Sequence, residues 1–565
     1  MRYRSTIPRS LRLAPAIAIV CAAGVGRADA GPPRPATADV DPEEFTVYAF
    51  SQSESNQEDP QVYRLKPDVN IRAFQKWNTS GDEAADYNFA QIGRYHDRGI
   101  AFIGGGTASV IFGDEFASAA IFDDLSTRDA GNLPVPHDYI VPGARRGSMA
   151  NPRFRKRIVD YCKLQIDGGV DGLFLDEVNG GFSGGLAHSF NGNEGFDDHA
   201  LADFNRYLLE KYPDFRTEDW KASFGMVDDN IVRRDAPPGD LVHNFNYRTY
   251  LQAHGWNGST GSADSPLNSL NPLASEWGSV VGNRMYADDR SFTATYLRRY
   301  WSEIVTELRE YARTTAHRQI LITSNGLIPY VDFNSAGMYP FNRDEVTPDF
   351  RGADYVPVVG GHLNGAKSLL ANYRYLRDTG RRISGDVPLV VFIDWPTDMM
   401  SNYLHLPLSE KRDYWQIFGA EAYASGIYPA FHLRDTVGSP TADELGMLSF
   451  FENYTRFYKE NRRVYRRSAD SPNHVTVRAS NVAASLLSQR GGRVQVLHLV
   501  NHNYSQGIIP QGEFSVEVDL ASRPRQVTMV SPDFAGRKAP VHTFRNGKLT
   551  VRVDGIRYYN AIVIE

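Results

Sequence analysis

Short apolar runs alternate with longer segments of helical period between residues 43 and 465. Helical segments such as Asn151–Ile166, Phe292–Thr315 and Ser409–Ala424 separate the runs. Eight runs have the character of strands: Thr46–Phe50, Asn70–Phe74, Gly99–Gly104, Gly172–Asp176, Ile320–Ser324, Asp354–Val359, Leu389–Asp394 and Gly426–Phe431. This α/β alternation predicts a parallel sheet covered by helices, and closure into a (β/α)8 TIM barrel is its economical form.

An open doubly wound sheet is the alternative fold. No G-x-G-x-x-G motif follows the first predicted strand, so a dinucleotide site has no support, and Gly104–Gly106 is interpreted as a glycine-rich turn. Residues 178–290, after the fourth strand, form a connection far longer than a crossover needs. Long insertions of this kind lie on the face where barrel enzymes do their chemistry, so we expect a lid or wall over the site.

From residue 466 to residue 565 the apolar positions follow a period of two. The alternating segments are His474–Arg478, Val494–Val500, Phe514–Val518, Gln526–Val530, Leu549–Val553 and Tyr559–Ile564. Separated by Gly, Pro and Asn turns, they predict a C-terminal antiparallel β-sandwich. Such a domain can bind carbohydrate, but we favour the interpretation that it supports the barrel by packing.

Residues 1–30 have the pattern of a secretory signal peptide. Arginines give a basic start, the run from Leu13 to Gly26 is apolar and small, and Ala28-Asp29-Ala30 offers a cleavage site. The apolar run is shorter than the ~20 residues that a membrane span needs, and no later stretch qualifies. We therefore expect a secreted or periplasmic protein with a loose segment over residues 31–42.

The composition is that of a soluble globular protein, with 42% hydrophobic and 23% charged residues. The net charge of -6 disfavours a general attraction to nucleic acid or to an anionic membrane, which leaves a neutral partner favoured. Of the two cysteines, Cys21 falls in the signal peptide. Cys162 would then stand alone, and we expect it in the core rather than as a nucleophile.

The fourth predicted strand ends in two acidic residues, within the segment G-V-D-G-L-F-L-D-E-V at Gly169–Val178. Side chains alternate across a strand, so Phe174 and Asp176 share one face. If the leucines of the other face meet the helices, Asp176 points into the barrel mouth, where strand-end residues carry the chemistry. The structural alternative is that Asp176 or Glu177 only caps the next turn.

The seventh predicted strand repeats this arrangement, because Phe392 and Asp394 share a face and Trp395 follows the acid. Two carboxylates facing one cleft are what cleavage of a glycosidic bond requires. One acts as a nucleophile or water-activating base, and the other is an acid that its surroundings keep protonated. The sequence therefore predicts a glycoside hydrolase that cleaves a polysaccharide or oligosaccharide without a cofactor, with Asp176 as the nucleophile or base.

Other residues at predicted strand ends are candidates for contacts with a sugar. Aromatic rings offer apolar platforms for sugar faces, and Asn and His side chains can hydrogen-bond hydroxyl groups. The candidates are Trp77, Asn325, Tyr339, His362, Trp395, Tyr428 and His432. No C-x-x-C spacing occurs, and the sequence predicts no metal site.

Several segments resemble known barrel glycoside hydrolases. The segment around Asp176, with Phe204–Leu209 after it, is similar to the fourth-strand region of many such enzymes. Phe418–Gly426, Phe450–Tyr458, Val494–Asn501 and Ser531–Asp533 resemble the dextranase and cycloisomaltooligosaccharide glucanotransferase family. The resemblance implies that Asp176 is the nucleophile. It also implies an N-terminal sandwich, which we do not expect here because the first predicted barrel strand begins near Thr46.

In that family the general acid is a glutamate after the sixth strand, and Tyr355–Gly361 contains none. We therefore assign the acid to Asp394, with Glu177, Glu276 and Asp354 as alternatives. Two other classes of protein stay open. A carbohydrate-binding protein with an inactive barrel would lack an acid that faces Asp176, and a metal-dependent hydrolase would use Asp176, Glu177 and His362 as ligands.

Overall fold

Parallel strands form a closed ring at the centre of the larger domain. The structure is a computed structural model that describes residues 42–51, 59–71, 88–137, 142–176, 178, 194–253, 283–338, 358–359, 362–363, 370–393, 407–434, 441–503 and 507–565. Within these ranges the eight ring strands are β1 (Tyr48–Ser51), β2 (Val69–Ile71), β3 (Ala101–Thr107), β4 (Gly172–Asp176), β5 (Leu321–Ser324), β6 (Asn334–Met338), β7 (Leu389–Ile393) and β8 (Tyr428–Arg434). They neighbour one another in chain order, and β8 pairs in parallel with β1. The predicted (β/α)8 barrel is confirmed.

Strands β5 and β6 are joined differently from the other neighbours. Bridges at Asn325–Ser335 and Gly326–Ser335 link them and close the ring. The connection between the two strands, residues 325–333, contains no helix. The hydroxyl groups of Thr323 and Ser335 lie 3.0 Å apart across this joint. We call this joint, from Thr323 to Ser335, the β5–β6 seam.

Helices surround the ring and form the insertion. They are α1 (Pro60–Leu65), α2 (Ile92–His96), α3 (Ala119–Leu125), α4 (Pro152–Asp167), α5 (Asp198–Lys211), α6 (Thr217–Phe224), α7 (Tyr247–Ala253), α8 (Asn283–Thr314), α9 (Leu370–Ser384), α10 (Leu408–Ala424) and α11 (Leu448–Glu460). No helix among the described residues combines the length and the apolar character that crossing a membrane requires.

Helix α4 shows how the sequence specifies these elements. Asn151 caps its first turn by accepting the Arg153 N–H, and Pro152 stands where a missing N–H costs nothing. Side chains four residues apart then form its buried face: Phe154, Ile158, Cys162 and Ile166. Cys162 is a buried free thiol, as predicted, and burial raises the pKa of this thiol to about 12.

Two sequence-based predictions about the ring are wrong. The sixth strand was predicted at Asp354–Val359, but in the structure it is Asn334–Met338. Val358–Val359 pairs antiparallel with His362–Leu363 and is not part of the ring. The apolar run at residues 356–359 has a higher strand propensity than the small, polar sequence of β6. The pairing of β6 with β7 and its bridges to the end of β5 nevertheless decide which segment joins the ring. Gly104–Gly106 is also not a turn, since these glycines lie inside β3 and pair with β4.

The insertion after β4 packs on α8 through aromatic rings. The Phe204 ring on α5 lies 5.1 Å from the Phe292 ring on α8, and Tyr207 lies 5.8 Å from the same ring. Helix α5 is capped by Asp197, whose buried carboxylate accepts the Ala200 N–H. Burial raises the pKa of Asp197. The role of the insertion as a lid or wall stays a prediction.

Carboxylates recur at the amino end of the ring, opposite the face predicted to carry the chemistry. Asp68, Asp171 and Asp332 stand one or two residues before β2, β4 and β6. Each accepts a backbone N–H at or near the start of the preceding strand: from Val47 at 3.0 Å, from Phe102 at 2.7 Å and from Ile322 at 2.7 Å. We call these three residues the amino-end aspartates. They tie neighbouring strands together below the core.

The C-terminal domain is the predicted β-sandwich. Its strands are β9 (Ser468–Asp470), β10 (Val475–Val477), β11 (Val482–Gln489), β12 (Gln495–Asn501), β13 (Phe514–Asp519), β14 (Val527–Val530), β15 (His542–Arg545), β16 (Lys548–Val553) and β17 (Tyr559–Ile564). One sheet has the order β9-β11-β12-β17-β14 and the other β10-β13-β16-β15. Alternate side chains of the two sheets, such as Leu497, Val516 and Val551, form their shared core.

The sandwich is attached to the barrel by buried polar contacts. Arg377 on α9 is only 3% exposed, and its guanidinium donates to Asp470 of β9 at 2.6 Å and to the Ser425 carbonyl at 2.8 Å. Although burial opposes ionisation of Asp470, the hydrogen bonds and charge of Arg377 outweigh it and lower the pKa of that carboxyl. On α10, Asp413 accepts the N–H of Ile508 at 3.2 Å.

Candidate active site

Three phenylalanine rings meet inside the barrel. Phe50 of β1 stacks on Phe392 of β7, with ring centroids 4.4 Å apart and planes 7° apart. Phe174 of β4 lies 5.5 Å from Phe50 and 6.2 Å from Phe392. We call these rings the aromatic floor. Their contact across the ring shows that Phe174 and Phe392 both point inward, as the alternation of each strand predicts.

Asp176 is the next residue of β4 on the face of Phe174, at the carboxyl end of the strand. The residue is only 6% exposed. Its Oδ1 accepts a hydrogen bond from Nδ2 of Asn325 at 2.9 Å, and its backbone carbonyl accepts the Ala108 N–H at 2.8 Å. A carboxylate buried above an apolar floor would be costly without a donor such as the Asn325 amide.

Asn325 comes from the β5–β6 seam. Its own N–H donates to the Leu175 carbonyl at 2.9 Å, which ties it to β4 one residue before Asp176. The Ser324 hydroxyl donates to the Gly326 carbonyl at 2.7 Å, and Gly326 has a φ of 116°, a conformation that suits glycine. The structure places the Asn325 amide against Asp176, and its predicted contact with a sugar hydroxyl stays a prediction.

Glycines let the neighbouring strands approach β4 closely. A Cβ atom on Gly105 of β3 would lie 1.8 Å from the Phe174 carbonyl oxygen. A Cβ atom on Gly172 would lie 2.5 Å from the Leu321 carbonyl oxygen of β5. The Gln165 side chain on α4 donates to the Gly105 carbonyl at 3.2 Å. The strand that carries Asp176 is therefore held tightly on both sides.

The prediction that Tyr428 forms a sugar platform is wrong. Tyr428 is the first residue of β8, so it lies at the amino end of the ring. It is 4% exposed, its hydroxyl donates to the Tyr465 carbonyl at 3.0 Å, and its ring lies 5.8 Å from that of Tyr48. Burial raises the pKa of this phenol. Tyr428 is a packing residue below the aromatic floor.

The remaining predicted site residues lie outside the described residues or have side chains that are not described. Outside the described ranges are Glu177, Asp394, Trp77, Tyr339, Trp395, Glu276 and Asp354. His362 belongs to the short antiparallel pair, and His432 of β8 pairs with Phe50 of β1, but the structure describes neither side chain. The roles assigned to these residues stay predictions.

The corrected sixth strand changes the search for a general acid. In the sequence, β6 is followed by Tyr339 and then by Asp344 and Glu345 as the first acidic residues. Sequence reasoning missed these two acids because it placed the sixth strand about twenty residues too late. Both acids lie outside the described residues.

Within the described part of the chain, no group of three or more His, Cys, Asp or Glu side chains is arranged to hold a metal ion. His498 and His502 are four residues apart but diverge. Nδ1 of His498 lies 2.6 Å from the Tyr559 hydroxyl, whereas Nε2 of His502 lies beside the carboxylate of the buried Glu421. Burial lowers the pKa of His498 to about 3.

The chain matches no protein-family model and no curated protein, but solved structures share its fold. A cycloisomaltooligosaccharide glucanotransferase of Paenibacillus sp., complexed with cycloisomaltoheptaose, aligns with a TM-score of 0.51 and 9% identity over 91% of this chain and 85% of that chain. At this identity the likeness shows the fold, and it confirms the fold that the sequence resemblance implied.

Two further structures align at lower similarity. For alpha-L-fucosidase isoenzyme 2 of Paenibacillus thiaminolyticus, the TM-score is 0.47 and the identity 8%, over 92% of this chain and 99% of that chain. For a noncanonic maltogenic alpha-amylase of Thermotoga neapolitana, the values are 0.46 and 9%, over 92% and 98%.

Proposed function

We propose that the protein is a secreted glycoside hydrolase that cleaves a polysaccharide or oligosaccharide. The observation that carries the proposal is the position of Asp176, which ends β4 above the aromatic floor with its carboxylate fixed by Asn325 at 2.9 Å. The carboxyl ends of barrel strands are where this fold does its chemistry. The glucanotransferase that shares this fold, solved in complex with a cyclic oligosaccharide, supports chemistry on glycosidic bonds.

In this proposal Asp176 attacks the anomeric carbon or activates a water molecule. A second carboxylic acid protonates the oxygen of the leaving sugar. Asp394 is the assigned acid, because it follows Phe392 and Ile393 of β7, and Phe392 lies in the aromatic floor beside Phe174. Glu345 joins the alternatives, because the corrected β6 precedes it in the sequence.

Replacing the carboxylate at Asp176 tests the proposal. Asp176→Asn keeps the size of the side chain but removes the negative charge, so we expect turnover to fall by roughly 10³-fold or more while the fold survives. Turnover is measured on a panel of α- and β-linked polysaccharides and 4-nitrophenyl glycosides, with products separated by chromatography. Circular dichroism and the melting temperature report the fold.

Matched variants separate two of the candidates for the general acid, Asp394 and Glu345. Asp394→Asn and Glu345→Gln are assayed on the same substrates, and the acid is the one whose loss is milder on glycosides with a good leaving group such as 4-nitrophenol. Unchanged turnover in Asp176→Asn contradicts the proposal. Binding of polysaccharide with no turnover by the unaltered protein points to a carbohydrate-binding protein instead.

A further inference from the structure

The contact between Asn325 and Asp176 joins two parts of the ring that are distant in sequence. Nδ2 of Asn325 lies 2.9 Å from Oδ1 of Asp176, and the two residues are 8% and 6% exposed. An ionised carboxylate only accepts hydrogen bonds, so the amide presents its NH2 group to it and not its oxygen. The geometry therefore fixes which way the Asn325 amide faces.

The backbone of Asn325 is held on both sides. Its N–H donates to the Leu175 carbonyl of β4 at 2.9 Å, and the residue bridges Ser335 of β6. The Ser335 hydroxyl donates to the Ser324 carbonyl, and the Ser324 hydroxyl donates to the Gly326 carbonyl. The backbone position from which the Asn325 side chain projects is therefore fixed.

The strands that flank β4 bring no charge to Asp176. Strand β3, Ala101–Thr107, and strand β5, Leu321–Ser324, contain no acidic or basic residue. The Asn325 amide donates a hydrogen bond to the carboxylate, so it favours the ionised form and orients it.

We propose that Asn325 is a positioning residue that orients the Asp176 carboxylate and keeps it ionised, in place of the sugar-binding role that the sequence suggested. The inference rests on the proposed function of Asp176. It assigns the β5–β6 seam a part in the reaction, because the seam fixes the backbone from which the amide reaches Asp176.

Kinetics of Asn325→Ala and Asn325→Asp test this role in the full chain. We expect kcat to fall roughly 10- to 100-fold with a much smaller change in KM, because a misplaced carboxylate slows the chemical step. We also expect the acidic limb of the pH profile of kcat/KM to move up by about one pH unit, since the ionised form loses a donor. Asn325→Asp should shift it further, because two carboxylates would share the space.

Asn560→Ala is the matched control. Asn560 is a buried asparagine of the sandwich, 1% exposed, and its Nδ2 donates to the Gly555 carbonyl at 3.1 Å. It should lose stability like Asn325→Ala and keep the pH profile unchanged. A role of Asn325 in sugar binding would instead raise KM and leave the acidic limb in place, which would overturn the proposal.

A readout that does not depend on turnover separates this inference from the proposed function. The unfolding free energies of Asp176→Ala, Asn325→Ala and the double variant form a cycle with the unaltered protein at pH 7. Non-additive effects support the contact. Additive effects contradict the positioning role of Asn325, even if Asp176 proves essential for turnover. Non-additive effects in a protein that cleaves no substrate of the panel contradict only the proposed glycoside hydrolase function.

Discussion

At Gly105, the absence of a side chain decides how close β3 can lie to β4. A Cβ atom there would come within 1.8 Å of the Phe174 carbonyl oxygen, and that oxygen belongs to backbone that is paired on both sides. The same strand carries Asp176 two residues later. The position of the proposed nucleophile thus depends on a residue that contacts no substrate.

Gly105→Ala should therefore destabilise the fold by about 1–3 kcal/mol, because the two strands must move apart. Urea unfolding followed by fluorescence measures the change. Gly93→Ala is the control, since Gly93 is exposed on α2 and an added Cβ meets nothing within 4 Å. That substitution should raise stability by about 0.5–1 kcal/mol. Equal effects of the two substitutions would contradict the close-approach argument.

The alternation of residues along β4 was enough to predict that Asp176 faces inward, because one apolar face and one acid leave a single consistent orientation. The contact with Asn325 was not predictable. It depends on how the β5–β6 seam brings a residue from the end of β5 beside β4, and sequence alone does not give that register. Tyr428 was misjudged because its position was assigned to the wrong end of β8.

At the scale of elements, seven of the eight ring strands are predicted by apolar runs bounded by turns. Strand β6 is the exception. Strand β6, with the sequence N-S-A-G-M, has little of the β-branched and aromatic character that marks strands. Its place is set by the ladder with β7, from Asn334–Leu389 to Met338–Ile393. Tertiary pairing therefore supplied the information that local propensity lacked, and the candidates for the general acid changed with it.

The amino-end aspartates act between elements. Asp171 is 4% exposed and accepts the Phe102 N–H at 2.7 Å, and its other contact is the His96 ring at 2.7 Å. Asp171→Ala should cost about 1–3 kcal/mol of stability, because a buried N–H loses its acceptor. Urea unfolding measures this loss. Asp214→Ala serves as the control, because Asp214 is exposed. An equal loss of unfolding free energy in that variant would contradict the role assigned to Asp171.

At the scale of the whole molecule, the sandwich and the barrel share a polar interface centred on Arg377 and Asp470. The guanidinium is almost fully buried and its donors reach both domains. Asp378 also pairs with this guanidinium at 3.0 Å, so removing Asp470 would leave the buried Arg377 partly compensated within the barrel but no longer bound to the sandwich. The sandwich was predicted from its period of two, but this interface was not, because its residues have no pattern of their own in the sequence.

The pH dependence of stability should reveal this interface. Because the folded pKa of Asp470 is lowered, its contribution is present above the unfolded value of about 3.9 and is lost as the pH falls through the folded value. Asp470→Asn should therefore melt at a lower temperature than the unaltered protein at pH 7, and the difference should shrink below about pH 4. A difference that is constant from pH 7 to pH 3 would contradict this assignment.

The β5–β6 seam divides the chain into two arcs. Residues up to 324 carry β1 to β5 with Asp176, and residues from 334 onward carry β6 to β8 and the sandwich. Ser335, which anchors Asn325, belongs to the second arc. During synthesis Asn325 emerges directly after the first arc and before Ser335, which anchors it. The backbone that carries the orienting amide is thus held on both sides only once β6 of the second arc has been made.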